Sequence, residues 1–389
     1  MALSQFQEWY AGRHEYQKNW KKRTNQKIVG YFCTYTPEEI YYAFEVLPVR
    51  ILGSHELEDL TESHISPMFC PLCRDILAQG LSGKYDYLDG ITFGQSCLHL
   101  QQAFTSWEIH QNPGWSHYLP MPNHVQSPRA IPFLKQEYGL LIKKLELLTG
   151  RTITDADLER GICIMNEVRQ TMKQIYAFRK QENPPITGAQ SMVMICSAFF
   201  TDAREWLPAA KQAIAELEAR PLETGVFERD TGKRLLLVGS ENDDMAFIEM
   251  VENLGETGAV GATIVVEEHC ATTRYFWDET QEGTRDPLTA IAERYCARTP
   301  CPSKDWPKRR RMDKIVEFAR EFKCDGALVI RQKFCDPHEA DMPFVKKALE
   351  EAGIPTCFLE FDVVTPVGAF SIRVEEFLET LETEYDFFD

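Results

Sequence analysis

Short apolar runs alternate with amphipathic segments in the first third of the chain. Residues 27–32, 49–52 and 87–93 have the length and apolar character of buried strands. Residues 3–23 and the segment that begins at Pro37 show helical spacing instead, and Glu38 and Glu39 complement the helix dipole there. This alternation of strands and helices predicts a parallel α/β sheet.

The middle of the chain, residues 131–219, shows helical periodicity that Asn183-Pro184-Pro185 interrupts. After Pro221 the α/β pattern returns. It predicts strands at 234–239, 262–266, 326–330 and 356–360, and helices at 243–254, 307–323, 343–351 and 374–385.

These patterns predict an α/β fold with two Rossmann-like parallel-sheet domains and an intervening helical region. The expected boundaries are 1–130 for the first α/β domain, 131–225 for the helical region and 226–389 for the second α/β domain. The order of the strands within each sheet cannot be read from the pattern.

Composition excludes several classes of protein. Of the 389 residues, 44% are hydrophobic and 11% are aromatic, which is typical of an ordered globular chain. No apolar run approaches the roughly 18–20 residues that span a bilayer, and the N-terminus lacks the apolar core of a signal peptide. We expect a cytoplasmic protein with no membrane partner. The net charge of −17 argues against a nucleic-acid partner.

One basic run, residues 308–311 (KRRR), interrupts the acidic composition. It is interpreted as a solvated helix start or, alternatively, as an anchor for an anionic ligand. Twelve cysteines in a cytosolic chain do not indicate a disulfide framework. Four of them lie in apolar helix-like or strand-like stretches and are predicted to be core residues: Cys163, Cys196, Cys324 and Cys357.

Other cysteines follow predicted strands, where α/β sheets collect their ligands. Cys97, Cys270 and Cys335 have such positions, and Cys33 does too, although its aromatic neighbours favour simple packing. Cys70 lies at a proline-containing corner. Thiolates brought together from both halves of the chain suit an iron–sulfur cluster with one open iron site better than a disulfide.

The CPLC motif at Cys70 and Cys73 is ambiguous among zinc, a redox dithiol and an iron–sulfur cluster. A structural zinc site would need a second close pair, and Cys296 and Cys301 are five apart around a proline. A thioredoxin-like motif would have small residues between its thiols. Arg74, just after the motif, fits a helix that begins beside a negatively charged cluster, which this arginine would help to hold and whose potential it would tune.

Several motifs together resemble the benzoyl-coenzyme A reductase / 2-hydroxyacyl-coenzyme A dehydratase family. They are GYFCTYTPEEIYYAFEVLPVRILG, FCPLCRD, FGQSCLHL, VVEEHCATTRYFWDE, KFCDP and GIPTCFLEFD, and they occur in the family's order over nearly the whole chain. The opening EWYAGRHEYQKNWKKRT and the stretch PVRILGSHE resemble most the smaller, cluster-bearing (gamma) subunit of ATP-dependent benzoyl-coenzyme A reductase.

The resemblance implies two flavodoxin-like domains and a [4Fe–4S] cluster held by three cysteines, with the fourth iron site open. Mapped onto this chain, the ligands are Cys70, Cys97 and Cys335, and Cys73 is an additional possible ligand. Dehydratases of the family usually have Cys-Asp where this chain has Cys97-Leu98-His99. This departure leaves His99 as a possible donor near the cluster, or as an ordinary helix residue.

The chain has no G-x-x-x-x-G-K-[ST] loop and no G-x-G-x-x-G motif after a strand. The resemblance therefore implies that a separate ATPase pair hydrolyses ATP and injects electrons. The implied function is that of a catalytic subunit of a ferredoxin-linked benzoyl-coenzyme A reductase, an oxidoreductase acting on CH–CH groups. Its partners would be the aromatic acyl-coenzyme A, a larger homologous cluster-bearing subunit and the ATPase subunits, in a heterotetramer. The alternatives are a subunit of a 2-hydroxyacyl-coenzyme A dehydratase and a non-catalytic electron-carrier module.

Overall fold

Two helices open the chain, α1 (Ala2–Ala11) and α2 (Arg13–Thr24), in a computed structural model that describes residues 2–56, 60–219 and 231–383. The sequence predicted one helix over 3–23. Gly12 separates the two, with φ −93° and ψ 20°, because glycine is a weak helix former. Trp20 of α2 is buried, and its indole N–H donates to Asp202 at 3.0 Å.

The first sheet follows these helices. Its elements are β1 (Ile28–Tyr31), α3 (Glu38–Ala43), β2 (Leu47–Arg50), α4 (Pro71–Leu81), β3 (Gly90–Gly94), α5 (Leu98–Gln111) and β4 (Ser116–Leu119). The strands are parallel in the order β2-β1-β3-β4. β4 was not predicted, because its sequence SHYL is mostly polar and half-buried, as suits an edge strand.

A helical region connects the two sheets. It consists of α6 (Ala130–Thr149), α7 (Asp155–Phe178), α8 (Gly188–Ser197) and α9 (Ala203–Glu218). Capping boxes begin two of these helices, Thr154 with Asp157 at α7 and Thr187 with Gln190 at α8. Gly161 lets α7 pack closely on α3, since a Cβ at this position would lie 2.1 Å from the Glu39 carbonyl oxygen.

The second sheet completes the described chain. Its elements are β5 (Lys233–Gly239), α10 (Met245–Asn253), β6 (Ala262–Glu268), α11 (Thr273–Phe276), α12 (Pro287–Ala297), α13 (Arg310–Glu321), β7 (Gly326–Gln332), α14 (Asp336–Glu351), β8 (Thr356–Phe361) and α15 (Val367–Thr383). The strands are parallel in the order β6-β5-β7-β8. The predicted fold class is confirmed. The predicted boundary between residues 225 and 226, and the end of the helix predicted for 374–385, lie outside the described residues.

α14 begins earlier than predicted. The sequence analysis placed its start at Pro343, but the helix already begins at Asp336, and Pro343 lies in its interior. Pro337 occupies the first turn, where a missing N–H has no effect on the helical hydrogen bonds. As a result, Cys335 directly precedes the helix.

The carboxyl ends of the two sheets face each other. The Tyr10 hydroxyl donates to the Asp243 carbonyl oxygen at 3.0 Å, and the Gly53 N–H donates to the Asp243 carboxylate at 2.8 Å. Arg50, which ends β2, donates to the Cys270 carbonyl oxygen at 2.9 Å. Both sheets have the strand order that creates a crevice between their two central strands, β1 with β3 and β5 with β7.

The structure corrects the expectations for two cysteines and for the basic run. Cys196 and Cys324 are buried as predicted, but Cys163 is exposed and Cys357 is half-buried, because the outer faces of α7 and β8 are not covered. The basic run is solvated only in part, since Lys308 is exposed and Arg309 and Arg310 are half-buried, whereas its last residue is buried. Arg311 is fully buried and paired with Glu268 at 2.6 Å and with Asp341 at 2.5 Å.

None of the helices in the described ranges is long and apolar enough to cross a membrane.

Candidate functional site

A cavity of about 80 Å³ lies between the carboxyl ends of the two sheets. Cysteines from both α/β domains line it: Cys33, Cys70, Cys97, Cys270, Cys301 and Cys335. The expectation that cysteines following the strands meet at one place is confirmed for Cys97, Cys270 and Cys335. Cys33 also faces the cavity, although the sequence favoured simple packing for it.

Each of the three predicted ligand cysteines directly precedes a helix. Cys70 caps α4, with Pro71 at its first position, while Cys97 caps α5 and Cys335 caps α14. A helix N-terminus stabilises nearby negative charge, so each of these positions would help to stabilise a thiolate that binds a cation. The residue before Cys335, Phe334, has a φ of 61°, a left-handed conformation that is unfavourable for a bulky residue.

Cys70 and Cys73 form an unequal pair. Their sulfur atoms are 3.6 Å apart, and both side chains are buried. A hydrogen bond from the Cys73 thiol, aided by His99, lowers the pKa of Cys70 to about 5, whereas burial raises the pKa of Cys73 well above its usual value. Cys70 is therefore the thiolate, the form that binds metals, and Cys73 its protonated neighbour, which does not line the cavity.

The pKa values of the other two predicted ligands are shifted in the opposite direction from that of Cys70, because burial dominates there. It raises the pKa of Cys97 to about 12 and raises that of Cys335 well above its usual value. Both are neutral thiols when no cation is near. A metal centre bound by these side chains would release their protons, so its affinity would increase with pH.

His99 and Arg74 support the Cys70 loop. Nδ1 of His99 accepts a hydrogen bond from the Cys70 backbone N–H at 3.2 Å, and its ring packs against Phe69. Arg74 donates to the Phe69 carbonyl oxygen at 3.1 Å and to Asp362 at 2.6 Å. Neither side chain is part of the cavity wall. Both fix the corner that presents Cys70.

The charged and polar residues of the cavity wall were not predicted from the sequence. These are Thr34, Ser96, Ser240, Glu241, Arg274, Arg298, Gln332 and His338. Glu241 follows β5 by two residues, so its position just after a predicted strand could have identified it as a candidate site residue. Burial, with Asp243 nearby, raises the pKa of its carboxyl to about 8, although Arg50 opposes this. Within the described ranges neither carboxyl oxygen of Glu241 has a hydrogen-bond partner.

The remaining cavity cysteines have other contacts. The Cys270 sulfur accepts a hydrogen bond from Arg50 at 3.2 Å. The backbone N–H of Cys301 donates to the Tyr35 hydroxyl at 3.1 Å. From the sequence, Cys301 was noted only as lying too far from Cys296 to form a close zinc-binding pair, so its place at the cavity was not predicted.

The donor set fits an iron–sulfur cluster better than a single metal ion. Among the residues that the structure describes, no three His, Cys, Asp or Glu side chains are close enough to share one ion. The thiolates of a [4Fe–4S] cluster each bind a different iron, so they stand further apart around a small inorganic core. Cys70, Cys97 and Cys335 surround the cavity from three helix ends, and several buried polar atoms of its wall lack partners. These residues fit the cluster.

Comparison with known proteins gives a consistent result. A sequence model described as 2-hydroxyglutaryl-CoA dehydratase, D-component, matches residues 33–381. The chain is 30% identical to the (R)-phenyllactyl-CoA dehydratase beta subunit of Clostridium sporogenes, over 88% of each chain. It is 24% identical to the beta subunit of lactoyl-CoA dehydratase from Anaerotignum propionicum, over 97% of this chain and 98% of the relative. It is 22% identical to a benzoyl-CoA reductase subunit of Thauera aromatica, over 87% of this chain and 86% of the relative.

Proposed function

Because the chain belongs to the family of the 2-hydroxyglutaryl-CoA dehydratase D-component, we propose that it is the [4Fe–4S]-bearing subunit of an electron-driven acyl-coenzyme A enzyme. The family resemblance found in the sequence is thereby confirmed. Cys70, Cys97 and Cys335 would hold the cluster, and Cys73 would remain a protonated neighbour. When bound, such a cluster supplies single electrons at low potential.

One observation carries this proposal. Three cysteines that are far apart in the sequence, from both α/β domains, reach one small cavity from three helix N-termini. A buried thiol needs no partner, so packing alone gives no reason for six of them to converge on one space. Convergent thiols at helix ends, together with unpartnered polar atoms, are expected of a site that holds an inorganic group.

The protein residues around the cavity have definable tasks. Its cysteine side chains are largely shielded from solvent, which excludes water from a strongly reducing centre. Glu241 can hold a proton at neutral pH, because its carboxyl pKa is about 8. It is therefore a candidate proton donor or acceptor at the cavity wall. His99 and Arg74 keep the Cys70 corner in place.

The size of the cavity limits what this chain can bind by itself. A volume of about 80 Å³ corresponds to space for about five to eight water molecules, since one water needs roughly 10–15 Å³ by this measure. Sites for drug-sized ligands have volumes of about 300–1,000 Å³. We therefore propose that an acyl-coenzyme A substrate is bound together with a homologous partner subunit and not inside this chain.

Two reactions suit such a subunit. The sequence motifs suggested ATP-dependent, ferredoxin-linked reduction of an aromatic acyl-coenzyme A, with a separate ATPase pair as electron source. The identities of 30% and 24% to dehydratase beta subunits, against 22% to the benzoyl-CoA reductase subunit, favour a 2-hydroxyacyl-coenzyme A dehydratase. We propose the dehydratase first and the reductase second.

Electron stoichiometry separates the two reactions. The chain would be purified anaerobically with the subunits encoded beside it and tested with 2-hydroxyacyl and aromatic acyl-coenzyme A esters. A dehydratase returns the electron after each turnover, so many products should form per electron supplied. A reductase consumes two electrons for each diene. Full activity of iron-free protein, or an iron-containing complex inactive with every ester, would contradict the catalytic proposal, and the latter would favour an electron-carrier module.

A further inference from the structure

Arg298 is a buried cation without an anionic partner. Its side chain is about 2% exposed and lines the cysteine cavity. One nitrogen, Nη2, donates to the Thr34 hydroxyl at 3.2 Å. In the described part of the chain, Nε and Nη1 have no hydrogen-bond partner, and no carboxylate lies within ion-pair distance.

Other buried arginines of this protein are compensated differently. Four of them each contact at least one buried carboxylate: Arg169 with Glu39, Arg179 with Glu267, Arg274 with Glu268, and Arg311 with Glu268 and Asp341. Two more, Arg50 and Arg294, donate to backbone carbonyl oxygens. A buried charge without such partners is strongly destabilising. Arg298, which has only a hydroxyl, therefore requires an explanation.

Aromatic rings hold the Arg298 guanidinium in place. Its central carbon lies 4.3 Å from the Tyr35 ring centre and 5.3 Å from that of Tyr295. Such cation–π contacts offset part of the desolvation, but they leave the in-plane N–H groups free. Glu241 lines the same cavity, and its carboxyl forms no hydrogen bond with Arg298. The unused N–H groups thus belong to a fixed guanidinium that forms part of the cavity wall.

We propose that the missing anion is the iron–sulfur cluster itself, and that Arg298 is the residue that stabilises its negative charge. This inference rests on the proposed function. A cubane with three thiolate ligands is anionic, and hydrogen bonds to its sulfur atoms raise its potential. Reduction adds a further negative charge beside the guanidinium, so Arg298 should stabilise the reduced state more than the oxidised state.

The sequence had assigned this role to Arg74, which makes Arg74 the matched control. Arg74 lies four residues after a proposed ligand, but its guanidinium is bound to Asp362 and to a carbonyl oxygen. Two arginines near the same site thus differ in whether their charge is already compensated. The comparison tests compensation, not mere proximity.

The experiment measures the midpoint potential of the cluster by EPR-monitored redox titration of the anaerobically purified full chain. In Arg298→Gln we expect a lower potential, with the reduced-to-oxidised ratio at a fixed potential about tenfold lower, equivalent to a shift of about 59 mV for one electron. Arg298→Lys should give a smaller shift because it keeps the charge. Arg74→Gln should change the potential much less than Arg298→Gln, because the charge of Arg74 is already compensated by Asp362.

The outcomes separate this inference from the proposed function. Wild-type protein without iron after anaerobic purification would refute the proposed function. A loaded wild type whose potential equals that of loaded Arg298→Gln, or an equal shift in Arg74→Gln, would overturn the role of Arg298. If the Arg298 variants do not fold, Thr34→Val is decisive. It removes only the hydroxyl that positions Nη2, and it should lower the potential in the same direction; an unchanged potential would contradict the inference.

Discussion

The two α/β domains share one topology but contribute different chemistry to the cavity. Both have four parallel strands with equivalent order, and in both a cysteine follows the third strand and caps the next helix, Cys97 after β3 and Cys335 after β7. After the first strand they diverge. The first domain has Cys33 there, whereas the second has Ser240 and Glu241.

Because of this difference, the two domains contribute different residues to the site. The first domain provides two of the three proposed ligands, Cys70 and Cys97, and the second provides the third together with the ionisable wall groups Glu241, Arg274 and Arg298. The first domain therefore contributes mainly thiols to the cavity, whereas the second domain contributes ionisable side chains as well. Neither domain has a complete site alone, so the cavity depends on how the domains are held together.

The largest expected effect tests whether both domains hold the cluster. Cys70→Ser, Cys97→Ser and Cys335→Ser should each lose most of their iron, because removal of one of only three thiolates leaves an iron without its protein ligand. Iron content and the EPR signal of the reduced protein provide the measurement. The control is Cys163→Ser, since Cys163 is exposed on α7 and should retain full iron.

Among these variants, Cys335→Ser is the most direct test of whether both domains bind the cluster. It changes the only proposed ligand from the second domain. Full iron occupancy in this variant would mean that the first domain binds the cluster alone, and the division of labour between the domains would be wrong.

The second prediction concerns the pH dependence of stability that results from the buried carboxyl of Glu241 in the second domain. Burial raises its pKa from a usual value near 4.5 to about 8. The native state thus binds a proton more tightly than the unfolded state, so the stabilisation is complete below about pH 4.5 and is lost as the pH rises towards 8. Glu241→Gln cannot lose a proton and should remove this part of the pH dependence.

Urea unfolding of the iron-free chain at pH 5 and pH 9 measures this effect. Between these pH values the free energy of unfolding of wild type should fall relative to Glu241→Gln by roughly 1–4 kcal/mol. The exposed Glu249 provides the control, because Glu249→Gln should follow the wild type at both pH values. Parallel pH profiles of wild type and Glu241→Gln would show that the Glu241 carboxyl is not raised in pKa.

The same contrast shows what the sequence could and could not provide. The run RLLLVG predicted β5 because a buried parallel strand is continuously apolar, and a cysteine after such a run predicted a strand-end site. The sequence did not reveal that the two sheets face each other. The roles of Glu241 and Arg298 depend on that arrangement, since Arg50 of the first domain acts on Glu241, and Thr34 and Tyr35 of the first domain contact Arg298. The ion-pair partner of Arg74 could not be predicted for the same reason, because Asp362 lies in the second domain.

A smaller effect should distinguish the two sulfur atoms of the CPLC motif. Cys73→Ala should retain the cluster, because Cys73 is a fully buried neutral thiol behind Cys70 and not part of the cavity wall. Loss of its hydrogen bond should raise the pKa of the Cys70 thiolate in the iron-free chain. Iron content is compared with that of Cys70→Ala. Equal iron loss in the two variants would favour a closed site with four cysteine ligands.

The smallest expected effect concerns the surface contact between the domains. Arg74 and Asp362 form an ion pair at 2.6 Å, but the Asp362 side chain is 43% exposed, and such pairs contribute only about 0–1 kcal/mol. Asp362→Asn should therefore change the free energy of unfolding by less than about 1 kcal/mol and leave the iron content intact. Glu268→Gln provides the contrast, because it breaks a fully buried pair with Arg311, and losses of this kind amount to about 3–5 kcal/mol. If Asp362→Asn instead released iron, the hydrogen bond from Arg74 to the Phe69 carbonyl oxygen would not be enough to hold the Cys70 corner, and the ligands of the first domain would depend on a residue of the second.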